Sequence, residues 1–384
     1  MKVGMFINYY TPSKGGMETS VINLCKGLNN AGHETYIFAP EYPDYVDKEK
    51  NIFRYKSFRF NYGGYFYVIP VPYLSKMEET VKNLNLDIIH SHQPYSLGSE
   101  AMKFSRKFNI PLVFTYHIKY EDYSHYIPIV PKSLSQKIIR SVTVNYSNKC
   151  DAVIAPSSAI KNLLLDREVK VPIEIIPSGI NIDEFAKETG RREEIRKKYK
   201  IGQEDVALIT ACRITEEKNV KFLVESFNKV KKSCKNAKFI IVGDGAVKKD
   251  LEKMVRDFGI EKDVVFTGMV NKEEIIGLYQ ASDIFVFASL TETQGLVAVE
   301  AMSAGIPAVA VKASGIEDIV ADGQDGILTG NSVDEFSDAV VKVVNDNDLR
   351  RRLAGQAKIN SKKFTIELWT ERIVKFYGSL IDKK

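Results

Sequence analysis

A chain of 384 residues, 44% hydrophobic and 27% charged, has the composition of a globular protein with room for two cores, which excludes a disordered or low-complexity chain. No apolar run nears the roughly 18 residues that span a bilayer, and MKVGMFINYY turns polar too early for a secretory leader, so a cytoplasmic protein that at most rests on a membrane surface is expected. The net charge of +5 resides in residues 1–178, with 21 Lys and Arg against 16 Asp and Glu, while the remainder balances at 33 of each; this implies an anionic partner for the first half, with too small an excess for a nucleic-acid binder.

In chain order, KVGMFI (2–7) reads as a buried strand, followed by a glycine-bearing loop and a helix with Met17, Val21, Leu24 and Leu28 on one face, closed by Ala31-Gly32. Strands are expected at 34–39, 86–90, 110–115 and 151–155, and in the second half at 206–211, 238–242, 264–268, 284–287 and 307–311, with helical segments between them. Nearly all-apolar strands alternating with helices define an α/β protein with parallel sheets covered on both faces. The architecture repeats without the sequence repeating, so two doubly wound, Rossmann-like domains are expected, 1–178 and 179–363, with a hinge near IIPSGINIDEF (175–185). Residues 364–384 hold a last helix with Leu368, Ile373, Phe376, Leu380 and the only tryptophan, Trp369, which could return to the N-terminal domain. In such folds ligands lie at the carboxyl ends of the strands, here in the cleft expected between the domains.

The motifs fall at those ends. YYTPSKGGMETS (9–20) joins the first strand to its helix through Gly15 and Gly16, whose amides suit a phosphate or a sugar, although the loop is neither a Walker loop nor G-x-G-x-x-G. All five histidines lie in the first half. His90 and His92 share a strand face and could form half of a metal site that no neighbouring carboxylate or cysteine completes, and the dispersed cysteines 25, 150, 212 and 234 contain no C-x-x-C pair. Asp346-Asn347-Asp348 reads as a helix cap. His117 follows a strand end, where an acid–base or substrate-orienting histidine would sit. In ACRITEEKN (211–219), Arg213 and Lys218 emerge after a strand and could clamp a diphosphate, or be a solvated basic turn paired with Glu216 and Glu217. VGDG brings Gly243 to the same edge, and VFTGMV ends a third strand there.

ASLTETQGLVAVEAMSAGIPAVA (288–310) carries the strongest signal. A helix starting between Thr293 and Leu296 offers its free amides to an anion, and Gly295 leaves the backbone open to approach. Carboxylates repel phosphate, so Glu292 before the helix and Glu300 inside it suit the hydroxyls on either side of one, as in a sugar joined through a diphosphate to a ribose. The alternative is a dipole-favoured Glu292 and a solvated Glu300.

GGME (15–18), the histidine at 117, CRITEEKN, VGDG, FTG and ETQGLVAVE followed by AMSAGIP together resemble the retaining glycosyltransferases of the GT-B fold, in the fourth glycosyltransferase family, over nearly the whole chain. The resemblance implies a nucleotide-sugar-dependent hexosyltransferase. Glu292 would contact donor-sugar hydroxyls and Glu300 the ribose. Gly295 and Leu296, with Arg213 and Lys218, would hold the diphosphate, Met269-Val270 the base, His117 the sugar near its reacting face, and Gly16 the phosphate. Cys212 stands where a glycine is common. The family's front-face reaction, in which the leaving phosphate helps deprotonate the acceptor, requires no cofactor; the nucleotide sugar is a substrate and Mg2+ at most a stimulant.

The acceptor must be read from the first half. Residues 51–73 hold nine aromatics, Tyr65 and Phe66 among them, with Arg54, Lys56 and Arg59 and no acid; 124–150 again lacks acids and carries Lys132, Lys137 and Arg140 around Leu134, Ile138 and Val142. Such mixtures suit an anionic lipid surface, or else an ordinary hairpin and one basic helix. TYHIKYEDYSHYI with ETQGL resembles the bacterial 1,2-diacylglycerol 3-alpha-glucosyltransferases, which implies UDP-glucose as donor, a diacylglycerol acceptor and a peripheral location on the inner membrane face. Two rival expectations remain: a soluble inositol phosphate or sugar phosphate as acceptor, or a catalytically inactive nucleotide-sugar-binding scaffold.

Overall fold

The computed structural model describes residues 1–13, 15–62, 65–122 and 131–383, and the side chains of all of these except 60–62, 65–67, 132 and 314. The chain forms two units: Met1–Gly179 together with Ile366–Lys384, and Ile180–Thr365.

The central strands of the first unit, Ile88–Ser91, Leu112–Thr115 and Ala152–Ala155 among them, bury their successive side chains on both faces. Along β1 (Lys2–Phe6), Val3 and Met5 enter one hydrophobic cluster and Phe6 another, so the sheet is covered on both faces. Its neighbours are β2 (Glu34–Pro40), β3 (Ile52–Tyr55), β6 (Ile88–Ser91), β7 (Leu112–Thr115), β8 (Ala152–Ala155) and β9 (Ile173–Ile175), in the spatial order β3-β2-β1-β6-β7-β8-β9, every pair parallel. Between β3 and β6 a separate antiparallel hairpin is made by β4 (Ser57–Tyr62) and β5 (Tyr65–Pro70). The aromatic stretch 51–73 is therefore divided between a sheet-edge strand and a hairpin.

The final helix, Ile366–Ile381, belongs to this unit. Trp369, Ile373, Tyr377 and Leu380 join Val21, Leu24 and Leu28 in one cluster. The approach to helix Gly16–Asn30 is close enough that a Cβ on Gly27 would lie 2.0 Å from Thr370 Oγ1. Leu368, read as part of the packed face, is instead 39% exposed, because the buried stripe runs through 366, 369, 370, 373, 377 and 380.

The second unit repeats the plan with β10 (Val206–Ala211), β11 (Ala237–Val242), β12 (Val264–Gly268), β13 (Ile284–Phe287), β14 (Ala308–Val311) and β15 (Gly326–Thr329), in the order β12-β11-β10-β13-β14-β15, again all parallel. Leu208 and Ala207 feed opposite cores. Strand order reverses between β10 and β13, so the loops leaving these two strands diverge and open a crevice at their carboxyl ends. The same reversal lies between β1 and β6 in the first unit.

Candidate active site

In the second unit the two loops at the reversal carry the charged motif residues. After β10 the chain makes a short helical turn, Glu216–Lys218, and Asn219 then adopts φ 54° to start helix Val220–Ser233. Asn219 Nδ2 donates to the Ala288 carbonyl at 3.3 Å, tying this loop to the one leaving β13. Lys218 Nζ donates to Glu292 Oε1 at 2.5 Å, with the two side chains 12% and 21% exposed. Arg213 is more open, at 54%, with Glu217 3.9 Å away. Of the reading of 211–219 as a solvated basic turn partnered by Glu216 and Glu217, the Arg213–Glu217 pair is present, whereas Lys218 pairs with Glu292, 74 residues downstream.

Helix Leu296–Ser303 begins directly after the loop that bears Glu292, inside the window read from sequence. Gly295 caps it at φ 91°, a backbone region that side chains disfavour, so conformation demands glycine here before any ligand does. Among the described residues no side chain caps this helix, and no acid occupies its first turn to offset the positive dipole end. The Glu292 carbonyl accepts from Gly315 N at 3.2 Å, which braces the loop from the following segment. Gln294 is buried, so its side chain is packed inward, whereas Thr293 and Leu296 are partly exposed.

Glu300, one turn into the helix, accepts from the Tyr279 hydroxyl at 3.1 Å. Burial pushes its carboxyl up to about 7, against the lowering effect of that hydrogen bond. It is thus no solvated face residue. Gly243, at φ 128°, sits where a Cβ would meet the Cys212 carbonyl at 1.9 Å, and its N–H donates to the Gly268 carbonyl at 3.0 Å, binding three strand ends into one edge. Cys212 itself is held protonated, its thiol pushed by burial to about 12. Met269 is 77% exposed at that edge and Val270 packs partly on the core.

In the first unit, at the start of helix Gly16–Asn30, Glu18 reaches back to the cap: Gly15 N donates to Glu18 Oε2 at 3.2 Å and Thr11 Oγ1 donates to Glu18 Oε1 at 2.9 Å. This start already holds a carboxylate, so it is a poorer anion site than the helix start at Leu296. His117 follows β7 and is hydrogen-bonded through Nε2 to His92 Nδ1 at 2.9 Å. Burial lowers it to about 4. The metal reading of His90 and His92 fails on His90, whose two ring nitrogens are each 2.6 Å from a hydroxyl, of Thr115 and of Tyr377.

The expected cationic surface is corrected in part. Arg54 binds Asp47 at 2.6 and 2.8 Å and the Pro40 and Thr11 carbonyls at 2.8 Å each, between the rings of Tyr10, Tyr42 and Tyr45, so its charge is engaged within the unit. Arg59 lies 3.2 Å from Asp44, while Lys56 is exposed. The side chains of Tyr65, Phe66 and Lys132, and residues 123–130 with His125, lie outside the described residues. Helix Lys132–Ser147 exposes Lys137 and Arg140 beside Leu134, Ile138 and Val142, which are 49%, 50% and 44% exposed, whereas Ser135, Thr143 and Ser147 are buried. Tyr146, with Ile139 and Val144 partly buried, packs inward as well, so the helix is apolar on its outer face in addition to its inner one. Among the described residues no helix is long and apolar enough to cross a membrane.

Sequence reasoning missed Tyr279 and gave no role to Asn219, Glu18 or Gly315; Tyr279, Asn219 and Gly315 act through tertiary contacts that spacing does not encode, whereas the Glu18–Gly15 contact is local.

Each unit is thus a parallel sheet with a strand-order reversal, and in the second unit the loops at the reversal carry the Lys218–Glu292 pair. A model described as Glycosyltransferase Family 4 matches residues 14–184, and one described as Glycosyl transferases group 1 matches 191–360. The chain belongs to this family of GT-B glycosyltransferases. Within it, the chain is 31% identical to the alpha-monoglucosyldiacylglycerol synthase of Acholeplasma laidlawii, covering 100% of this chain and 98% of that one. It is 32% identical to the Streptococcus pneumoniae enzyme of the same name, over 85% of this chain and 75% of that one. The Anabaena protein HepE, solved with UDP and glucose, superposes with a TM-score of 0.78 at 20% identity, over 99% of this chain and 100% of HepE. Sucrose-phosphate synthase of Thermosynechococcus elongatus gives 0.79 at 19%, with both chains covered completely.

Proposed function

We propose that the protein moves glucose from UDP-glucose to the free hydroxyl of diacylglycerol, with retention of anomeric configuration, at the inner face of the cell membrane. The observation that carries the donor half is the pairing of Lys218 with Glu292 immediately before the uncapped helix start at Gly295-Leu296. A cation, free amides and a dipole end together bind a diphosphate and take up the charge that grows on it as the glycosidic bond breaks. Glu292 exchanges its lysine partner for sugar hydroxyls, and Glu300 accepts from the ribose. Arg213 adds a second cation, exposed enough to swing onto the phosphates. Retention without a carboxylate nucleophile requires the acceptor hydroxyl to attack from the side the diphosphate leaves, giving up its proton to a phosphate oxygen.

Two observations favour a lipid acceptor. The named relatives above are glucosyldiacylglycerol synthases, and helix Lys132–Ser147 turns an apolar stripe flanked by Lys137 and Arg140 to solvent. The hairpin adds the cross-strand pair Phe58 and Ile69, 68% and 50% exposed, near Lys56. Basic and apolar side chains together favour an anionic interface. Incubation with radiolabelled UDP-glucose and vesicles of diacylglycerol with anionic phospholipid is expected to yield monoglucosyldiacylglycerol, the yield falling without the anionic lipid. Equal transfer to a water-soluble inositol phosphate would overturn the acceptor assignment.

A further inference from the structure

We propose that His92 is a positioning residue that fixes both the orientation and the tautomer of His117, placing the proton of His117 on Nδ1. The tautomer stands on the geometry and burial of the two rings; its catalytic consequence rests on the transferase reading above.

His92 directly follows β6 and His117 lies two residues past β7, and these strands are neighbours with Ser91 opposite Phe114. The two imidazoles therefore meet at the carboxyl edge of the sheet. His92 cannot turn away. Its N–H donates to the Phe6 carbonyl at 3.0 Å and its carbonyl accepts from the Tyr120 hydroxyl at 3.2 Å. Its ring, 1% exposed, lies 4.2 Å from that of His90, centroid to centroid. His90 is itself pinned between the hydroxyls of Thr115 and Tyr377.

The 2.9 Å between His92 Nδ1 and His117 Nε2 is a hydrogen-bond distance and needs one proton between the two nitrogens. His92 Nε2 decides whose proton it is. That atom is buried and has no hydrogen-bond partner among the described residues. A proton there would make it an orphaned buried donor, which costs about 1–3 kcal/mol and is rarer in proteins than an unused acceptor. The proton of His92 therefore sits on Nδ1 and points at the Nε2 lone pair of His117. A neutral imidazole carries one proton, so that of His117 is on Nδ1. Burial keeps both rings neutral, His117 at about 4 and His92 well below its ordinary value.

It follows that His117 has a donor at Nδ1 and no lone pair to offer. It cannot accept the acceptor's proton, because its one lone pair is already occupied by His92. That division of labour leaves the departing phosphate as the base.

The test is a long-range proton–nitrogen correlation spectrum of the full chain labelled with 15N-histidine, assigned by single histidine replacements. His117 is expected to be protonated at Nδ1 and to stay neutral between about pH 5 and 8. In His92→Leu the His117 signals should shift to mixed tautomers. Glucosyl transfer should lose about tenfold in kcat, the worth of one ordinary hydrogen bond, with KM for UDP-glucose within about twofold. His92→Asn, whose amide nitrogen can replace Nδ1, should recover most of the loss. Protonation of His117 at Nε2 in the unsubstituted protein overturns the proposal. So does a His117 spectrum that His92→Leu leaves unchanged, or an Asn variant no better than Leu when both melt like the parent. If the Leu variant fails to fold, the parent spectrum decides alone. Absence of lipid glucosylation with the Nδ1 tautomer present would overturn the function proposed above and leave the tautomer assignment standing.

Discussion

Lys218 and Glu292 are 12% and 21% exposed and bonded to each other, so each keeps the other's charge from being stranded in a partly dry crevice. On the proposed reading that mutual dependence makes Lys218→Ala doubly harmful: it removes a cation from the leaving group and leaves Glu292 without its partner. Steady-state transfer assays should show kcat lower by roughly 10²–10³, the usual cost of deleting one stabiliser of developing charge. Glu300 yields a pH signature. Burial places its carboxyl near 7, and only the ionised form accepts from two ribose hydroxyls. KM for the donor should therefore fall as pH rises through about 7 and level off above it, and Glu300→Gln should flatten the profile. Tyr279→Phe removes a donor that favours the ionised form, so the midpoint should move upward; a midpoint that stays put or moves down would refute this coupling. At this scale the sequence carried the identities of Arg213, Lys218, Glu292 and Glu300, because each follows a legible strand end or helix start. It did not carry Tyr279 or the hydroxyls that hold His90, which reach their partners from 21, 25 and 287 residues away.

Elements were legible in proportion to their length and one-sidedness. The central strands, apolar on both faces, and the longer helices announce themselves by period. Strands β3, β9 and β15 are only four, three and four residues long and have exposed or half-buried positions, so no periodicity identifies them. Gly295 shows what local chemistry adds: φ 91° at the cap of an eight-residue helix cannot be supplied cheaply by another residue. Gly295→Ala should cost about 1 kcal/mol in stability from backbone strain and raise KM for UDP-glucose by displacing the first-turn amides, read by chemical denaturation and by titration. The helix Lys132–Ser147 makes the opposite kind of prediction. Its outward Leu134, Ile138 and Val142 contribute little to the core, so replacing all three by serine should leave the melting temperature within a few degrees and sharply reduce cosedimentation with anionic vesicles. Unimpaired vesicle binding would remove this helix from the membrane contact.

For the molecule as a whole, the C-terminal helix is the part that makes the first unit discontinuous in sequence. Trp369, Ile373, Tyr377 and Leu380 are nearly fully buried there, and at roughly 1.5–3 kcal/mol each their loss rivals the whole stability of an ordinary domain. A chain ending at Thr365 should therefore expose its first unit to limited proteolysis while Ile180–Thr365 resists, and should lose the Tyr377 contact to His90. The apolar spacing of 364–380 announced a helix, but which unit it covers depended on Gly27 admitting Thr370, a contact 343 residues distant in sequence. The account turns on where the leaving group is held. A crystal structure of the protein soaked with UDP-glucose should place the pyrophosphate against Lys218 and the Gly295–Leu296 amides, with the ribose on Glu300. Pyrophosphate bound elsewhere, with Lys218 still paired to Glu292 and the helix start untouched, would contradict it.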